Sequence, residues 1–253
     1  MSDAAVAAVA RLLARDRLVE AFGHVSARSG DGCLITPTSP PLEAVCAQHV
    51  LELDAAGNVV RGDAAARPLE APLHLAIYAV RADVHGICRT HSPAAAAAAA
   101  GGRVPPAAHG LGLLAGEVAV HAESDLVTTS AMAAAAAADL GTADCLLLRA
   151  NGAVCTGVSL QEAVVRAHYL EERCAIAARS GGAALSETER LARGRHVEPE
   201  LTRAWRWLAL RHGDHDLPQH LDPAPQSTNV VTDAPDRARV GAPHEPLPER
   251  RHG

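Results

Sequence analysis

Residues 86–100 read GICRTHSPAAAAAAA, an apolar segment that ends in Arg89, Thr90 and His91 and passes through Ser-Pro into seven alanines. The first part predicts a buried strand. The second predicts a helix, because proline suits a first helical turn and alanine has the highest helix propensity. Side chains alternate between the faces of a strand, so Arg89 and His91 share one face. The sequence therefore places a cation beside an imidazole where a strand meets a helix.

Strand-like and helix-like segments alternate along the rest of the chain. Helical spacing of apolar residues or capping signals predict helices over 3–18, 68–81, 124–140 and 159–179, and a last helix anchored by Trp205 and Leu208. The segments HVSAR, CLIT, HVLELD, CLLLR and AVCT read as short strands. This alternation indicates an α/β layered domain over residues 1–212. Residues 213–253 are rich in Pro, Asp, Arg and His and are expected to form a disordered or loosely attached tail.

Composition excludes several classes of function. All 23 basic residues are arginine, so a lysine Schiff base with a carbonyl substrate is excluded. The net charge of −6 and the 2% aromatic content argue against nucleic-acid binding. No apolar run reaches membrane length, and the six cysteines form no Cys-x-x-Cys pair. These features predict a cytoplasmic protein with reduced cysteines and no membrane partner.

Several stretches together carry a family resemblance. EAFGHVSAR, LITPTS, RPLEAPLHLAIYAVRADVHGICRTHSP, AHGLG, DLVTT and LLLRANGAVCTGVSLQEAVVRAHYLEE occur in this order over residues 5–180. They resemble the class II aldolase/adducin family. The resemblance implies a three-layer α/β/α sandwich with a central, mainly antiparallel sheet, and a homotetramer with active sites between subunits. It also implies carbon–carbon bond chemistry next to a carbonyl, with a divalent metal, usually zinc, on three histidines and a glutamate as base.

This sequence departs from the family's metal site. Glu70 in RPLE matches the glutamate, and His91 matches the second histidine of the His-x-His strand. The first histidine is replaced by Arg89 and the late-turn histidine by Asn151. Arginine stays protonated and repels a cation, and an amide oxygen is a weak ligand. A three-histidine zinc site is therefore not expected, and we expect no tightly bound cofactor.

The same four residues suggest chemistry without a metal. Glu70 would remove or return a proton, while Arg89 and Asn151 would hold a carboxylate or an enolate oxygen. His91 would act as an acid, a base or a hydrogen-bond donor. Such a set suits enolisation, retro-aldol cleavage, decarboxylation or cyclisation of a small carbonyl or carboxylate compound.

Two alternatives remain open at this point. In the first, Arg89 and Glu70 form a buried ion pair in a dead site, and the protein is a non-catalytic, adducin-like oligomeric scaffold. In the second, zinc or iron binds His91 with Glu70 and with His74 or His109, giving a lyase or oxygenase with unusual ligands.

The substrate class is narrowed by comparison with the phosphosugar aldolases of the family. Their phosphate-gripping turns are replaced here by GHVS, TPTS and RPLE, which indicates a non-phosphorylated substrate. GHVSAR is also similar to a subgroup with members in specialised metabolism. The residues expected to line the substrate pocket are His24, Ser26, Arg28, Thr38, Ser39 and His109. For Arg28 and His109 a structural role is an equal alternative.

Overall fold

The computed structural model describes residues 1–214, 216 and 217. The strands are β1 His24–Ser29, β2 Gly32–Ile35, β3 Leu51–Leu53, β4 Val59–Arg61, β5 Gly86–Thr90, β6 Val118–His121, β7 Cys145–Leu148 and β8 Gly152–Gly157. The helices are α1 Asp3–Arg15, α2 Ala71–Val80, α3 Pro93–Ala100, α4 Ser130–Leu140, α5 Leu160–Arg179, α6 Glu187–Gly194 and α7 Val197–His212. No helix within this part of the chain has the length and apolar character needed to cross a bilayer.

The strands form one sheet in the order β4-β3-β2-β1-β5-β8-β7-β6. Among the described strands only β6 and β7 pair in parallel, and the other neighbours are antiparallel. Helices α2 and α4 share one buried apolar cluster with one face of the sheet, and α1, α3, α5 and α7 share another with the opposite face. The predicted α/β class and the mainly antiparallel sheet are therefore confirmed, and β5 lies near the middle.

Helix boundaries follow local backbone signals. Helix α1 ends at Arg15, earlier than predicted, and Arg17 adopts a φ of 60°, which a right-handed helix cannot contain. Helix α4 begins at Ser130 rather than 124, because the Thr129 hydroxyl accepts a hydrogen bond from the backbone N–H of Met132. Trp205 on α7 is fully buried, as predicted. Strand β6 was not predicted from the sequence.

The N-terminus of the alanine helix α3 is hydrogen-bonded to a residue of another helix. The carboxylate of Glu171 on α5 accepts hydrogen bonds from the backbone N–H groups of Ala94 at 2.9 Å and Ala95 at 2.8 Å. The first N–H groups of a helix lack intrahelical partners and favour a negative charge. Because α3 follows β5 after two residues, this contact also fixes the chain at His91.

Residues that directly follow α7 contact other parts of the protein. Asp214 accepts a hydrogen bond of 2.7 Å from Nε of Arg11 on α1, and Leu217 is buried. Residue 215 and residues 218–253 of the predicted tail lie outside the described residues.

Candidate active site

The site lies where β1, β5 and the start of α2 meet. In the antiparallel register His24 is the direct neighbour of Arg89, so their side chains project from the same face of the sheet. Helix α2 covers this face and begins just after Glu70, whose carboxylate is brought against β5. Three separate segments thus bring together four of the predicted residues: His24, Glu70, Arg89 and His91.

Arg89 faces Glu70. Its Nε and one terminal nitrogen each lie 3.3 Å from Oε1 of Glu70, and the other terminal nitrogen donates to the carbonyl of Thr90 at 2.9 Å. The Arg89 side chain is 0% exposed and that of Glu70 is 5% exposed. Burial lowers the pKa of Arg89, and the Glu70 carboxylate opposes this shift. Of the two anions that the sequence left open for Arg89, substrate or glutamate, the structure places the glutamate there.

A cavity of about 520 Å³ opens above this pair. Glu70 forms part of its floor, whereas Arg89 is not among the residues that line it. The lining residues are Ala21, Phe22, Gly23, His24, Pro37, Thr38, Pro40, Pro41, Leu42, Leu69, Glu70, His91, Leu126 and Asn151. The volume is in the range that small-molecule sites usually have. Arg89 therefore supports the floor from behind and does not itself meet a ligand in the cavity.

Two neutral imidazoles face the cavity. Burial, with a further contribution from the Arg89 charge, lowers the pKa of His24 to about 3 and that of His91 to about 4. Both rings are uncharged at neutral pH, since their ordinary pKa is about 6.5. The Nδ1 atoms of both rings are buried and have no hydrogen-bond partner in the described structure. Each side chain therefore contributes an uncharged polar group to the cavity wall.

A buried polar network lies behind His24. The Ser26 hydroxyl is 2.7 Å from Nδ1 of His74 and 2.9 Å from the hydroxyl of Tyr78. All three residues are buried, and burial holds the pKa of His74 well below its ordinary value. The His74 and His24 rings approach edge to face, with 6.2 Å between their centroids. Ser26 thus supports the site from within and does not line the cavity.

Three more of the predicted pocket residues lie elsewhere. The Arg28 guanidinium donates to the carbonyls of Tyr78, Val84 and Arg81 and so secures the end of α2. Nε2 of His109 is 2.7 Å from the Glu172 carboxylate on α5, and Ser39 is not a lining residue. Thr38 does line the cavity. Of the six residues predicted to contact substrate, His24 and Thr38 line the cavity, whereas the other four, including Ser26, do not.

The donor set does not fit the three-histidine zinc site that the resemblance implies. Within residues 1–214, 216 and 217, no group of three or more His, Cys, Asp and Glu side chains is arranged to hold a metal ion. The candidate partners of His91 are engaged elsewhere: Glu70 with Arg89, His74 with Ser26 and His109 with Glu172. The positive charge of Arg89, close to His91, also repels a cation.

Comparison with known proteins places this arrangement in a family. The family described as "Class II Aldolase and Adducin N-terminal domain" matches residues 4–178. The chain belongs to this family. The matched residues include β1, β5 and the start of α2, the segments that bring His24, Glu70, Arg89 and His91 together.

Individual relatives cover parts of the chain. An L-fuculose phosphate aldolase of Methanocaldococcus jannaschii is 37% identical over 82 residues, which is 32% of this chain and 44% of that protein. A 5-methylthioribulose-1-phosphate/5-deoxyribulose-1-phosphate aldolase of Rhodospirillum rubrum is 32% identical over 152 residues, which is 59% of this chain and 67% of that protein. An aldolase II superfamily protein from Pseudomonas syringae superposes with a TM-score of 0.71 and 25% identity, over 85% of this chain and 94% of that structure.

The cavity also has an apolar rim, which was not predicted from the sequence. Phe22 is 75% exposed, Leu69 is 65% exposed and Leu126 is 37% exposed, and all three line the cavity. Phe22 immediately precedes the GHVS segment, and Leu69 immediately precedes Glu70. Large apolar residues next to polar motif residues were the available signal, since such positions outside a core have no packing reason to be apolar.

Proposed function

We propose that this class II aldolase family member is a lyase-like enzyme that moves a proton next to the carbonyl group of a small, non-phosphorylated compound. The observation that carries the proposal is the position of Glu70 between Arg89 and the cavity. Both carboxylate oxygens lie 3.3 Å from Nε of Arg89, and Glu70 is also one of the residues that line the cavity. A carboxylate that is both oriented and open to a ligand is suited to general base catalysis.

The proton transfer assigns a role to each residue at the floor. A Glu70 oxygen takes a proton from the carbon next to the carbonyl, and the electron pair of that C–H bond forms the C=C bond of an enolate. The carbonyl oxygen receives the negative charge. In this proposal the Asn151 amide and the neutral His91 ring, both of which line the cavity, donate hydrogen bonds to that oxygen. Arg89 is a positioning residue for Glu70 because it does not meet the ligand.

The same enolate links the reactions that this site can support. In retro-aldol cleavage Glu70 first takes the proton of the hydroxyl group on the carbon beyond the bond that breaks, and the O–H electron pair forms the C=O bond of the released carbonyl fragment. The electron pair of the broken carbon–carbon bond forms the enolate, and Glu70 then returns its proton to the enolate carbon. Residues of this chain supply the base, its orientation and the oxygen donors in each case.

The test is proton exchange at carbon. The full-length protein is incubated with small ketones and aldehydes in D₂O, and deuterium incorporation next to the carbonyl is followed by NMR. We expect Glu70→Gln to abolish the protein-dependent exchange. Glu172→Gln, which changes a half-exposed carboxylate on α5, serves as the matched control and should retain it. Equal exchange in native protein and Glu70→Gln would contradict the proposal.

A non-catalytic binding or scaffold module is the second candidate. It is favoured by the Arg89–Glu70 pair, in which the guanidinium already compensates the charge of the only carboxylate among the described cavity residues. If Glu70→Gln alters only stability, and no carbonyl compound binds or exchanges deuterium, this candidate replaces the enzyme. The homotetramer implied by the resemblance is a further proposal, and light scattering on the full-length protein would test it.

A further inference from the structure

The cavity offers no positive charge to a ligand. Among its described lining residues, Glu70 is the one charged side chain at neutral pH, because His24 and His91 are both uncharged there. The Arg89 guanidinium lies next to Glu70, and its N–H groups donate hydrogen bonds to that carboxylate and to backbone carbonyls. A phosphate or carboxylate entering this cavity would lose hydration without gaining a cationic partner, which is strongly unfavourable.

The walls and mouth of the cavity are apolar. Prolines 37, 40 and 41 and Leu42 line one part of it, and Phe22, Leu69 and Leu126 line the mouth. Phe22 is the one phenylalanine of the chain, yet it is 75% exposed rather than packed in the core. An exposed apolar rim that leads to a few buried polar atoms is typical of a site for an organic molecule with an apolar part and few hydrogen-bonding groups.

We propose that the cavity takes an uncharged carbonyl compound with an apolar substituent, and that Phe22, Leu69 and Leu126 hold that substituent. This rests on the proposed function, which supplies the carbonyl group next to Glu70. The uncharged His24 and His91 side chains, which line the cavity, are then the polar groups next to neutral oxygen groups of the ligand. The proposal narrows the substrate from carbonyl or carboxylate compounds to neutral ones, and it separates this site from sites that grip phosphate.

The experiment compares two probes that share one skeleton. Benzylacetone is a neutral ketone, and hydrocinnamate has a carboxylate oxygen in place of its terminal methyl group. Binding of each to the full-length protein is measured by calorimetry and by saturation-transfer NMR at pH 7, with dihydroxyacetone phosphate as a phosphorylated probe. We expect benzylacetone to bind at least roughly tenfold more tightly than either anion, which corresponds to about 1.4 kcal/mol.

Variants at the exposed rim of the cavity test the proposal without disturbing the folded core. Leu69 is 65% exposed, so Leu69→Ala should leave the fold intact and weaken benzylacetone about fivefold, by exposing part of the substituent to water. Leu126→Arg brings a cation to the mouth and should shift the preference toward hydrocinnamate. Leu210→Ala, at an exposed leucine of α7 on the opposite side of the sheet, is the control and should change neither affinity.

The outcomes separate this proposal from the proposed function. Anions that bind native protein as tightly as benzylacetone, or no binding of any probe, would overturn the neutral-ligand proposal. Unchanged benzylacetone affinity in Leu69→Ala would overturn the role of the rim. Tight binding of benzylacetone without deuterium exchange would support the neutral-ligand proposal and would contradict only the proposed catalytic function.

Discussion

Replacing Arg89 by methionine should destabilise the protein far more than the loss of a surface ion pair would. The change keeps the length and apolar stem of the side chain but removes the guanidinium from a position that is 0% exposed. Glu70, 5% exposed, then carries a charge with no partner on its buried side. Removing one member of a buried pair typically costs about 3–5 kcal/mol, because the other member stays desolvated.

The expected loss is large relative to the stability of a domain of this size. Native domains are stable by about 5–15 kcal/mol, so Arg89→Met should remove a substantial fraction of the free energy of unfolding. At about 2–4 °C per kcal/mol for a domain of this size, the melting temperature should fall by about 6–20 °C. Urea unfolding followed by tryptophan fluorescence is a suitable assay, since Trp205 is fully buried in the core.

Two further variants test the reasoning. Arg61→Met breaks pairs with Asp3 and Glu52 in which the arginine is 45% exposed, and it should cost less than about 1 kcal/mol. The double variant Arg89→Met with Glu70→Leu removes both charges and should be more stable than Arg89→Met alone. If Arg89→Met were no more costly than Arg61→Met, the conclusion that Arg89 and Glu70 form a tightly coupled buried pair would be refuted.

Three further predictions concern protons, thiols and metal. Burial lowers the pKa of His24 to about 3, so below a pH of about 6.5 the unfolded chain binds a proton at this residue that the folded protein does not. The free energy of unfolding should therefore fall by about 1.4 kcal/mol for each pH unit of acidification because of this residue. His24→Asn should reduce that slope in urea titrations from pH 7 to 5, and an unchanged slope would contradict the assignment. Of the six cysteines only Cys46 is not buried, so a thiol reagent should modify one cysteine quickly in the native protein and the others after unfolding; rapid modification of several thiols would be inconsistent with this core. The double variant with Arg89→His and Asn151→His should bind zinc about tenfold more tightly than native protein in a competition assay. Arg89→His alone should give a smaller gain in affinity. No gain in the double variant would mean that the backbone around these positions no longer supports the family's ligand geometry.

The sequence predicted the architecture better than the positions of the site residues. Alternating strand and helix signals, with the family resemblance, were sufficient for the α/β class and the mainly antiparallel sheet. Strand β6 escaped detection because it is only four residues long and two of them, Ala119 and Val120, are half-buried, which gives no clear periodic pattern. Short edge strands carry little information of this kind.

Strand geometry explains why the residues predicted along β1 lie in different places. His24, Ser26 and Arg28 were predicted for the pocket from the GHVSAR resemblance, and they share one face of the strand. A strand advances by about 6.6 Å every two residues, so the three side chains reach different places. His24 meets the cavity, Ser26 meets His74 beneath α2, and Arg28 reaches the far end of that helix. The face could be predicted, but the distance to the cavity depended on where α2 lies.

The choice of partner for Arg89 was likewise beyond the sequence. Glu70 and Arg89 are 19 residues apart, and only the packing of α2 on the sheet brings them together. A flexible arginine near a cavity can face a ligand or a neighbour, and both options fit the same sequence. The burial of the guanidinium decided between them.

The hydrogen bonds from α3 to Glu171 have a consequence for how this chain can tolerate change. A helix of seven consecutive alanines has no distinctive side chain to determine its docking position, and any rotation about its axis presents nearly the same surface. One carboxylate that binds two successive backbone N–H groups removes this ambiguity, since it recognises the end of the helix rather than its side. Glu171, which lies 80 positions after His91, therefore determines where the helix that follows the active-site strand docks. A substitution at Glu171 is expected to shift the position of His91 in the cavity, although Glu171 itself does not line the cavity.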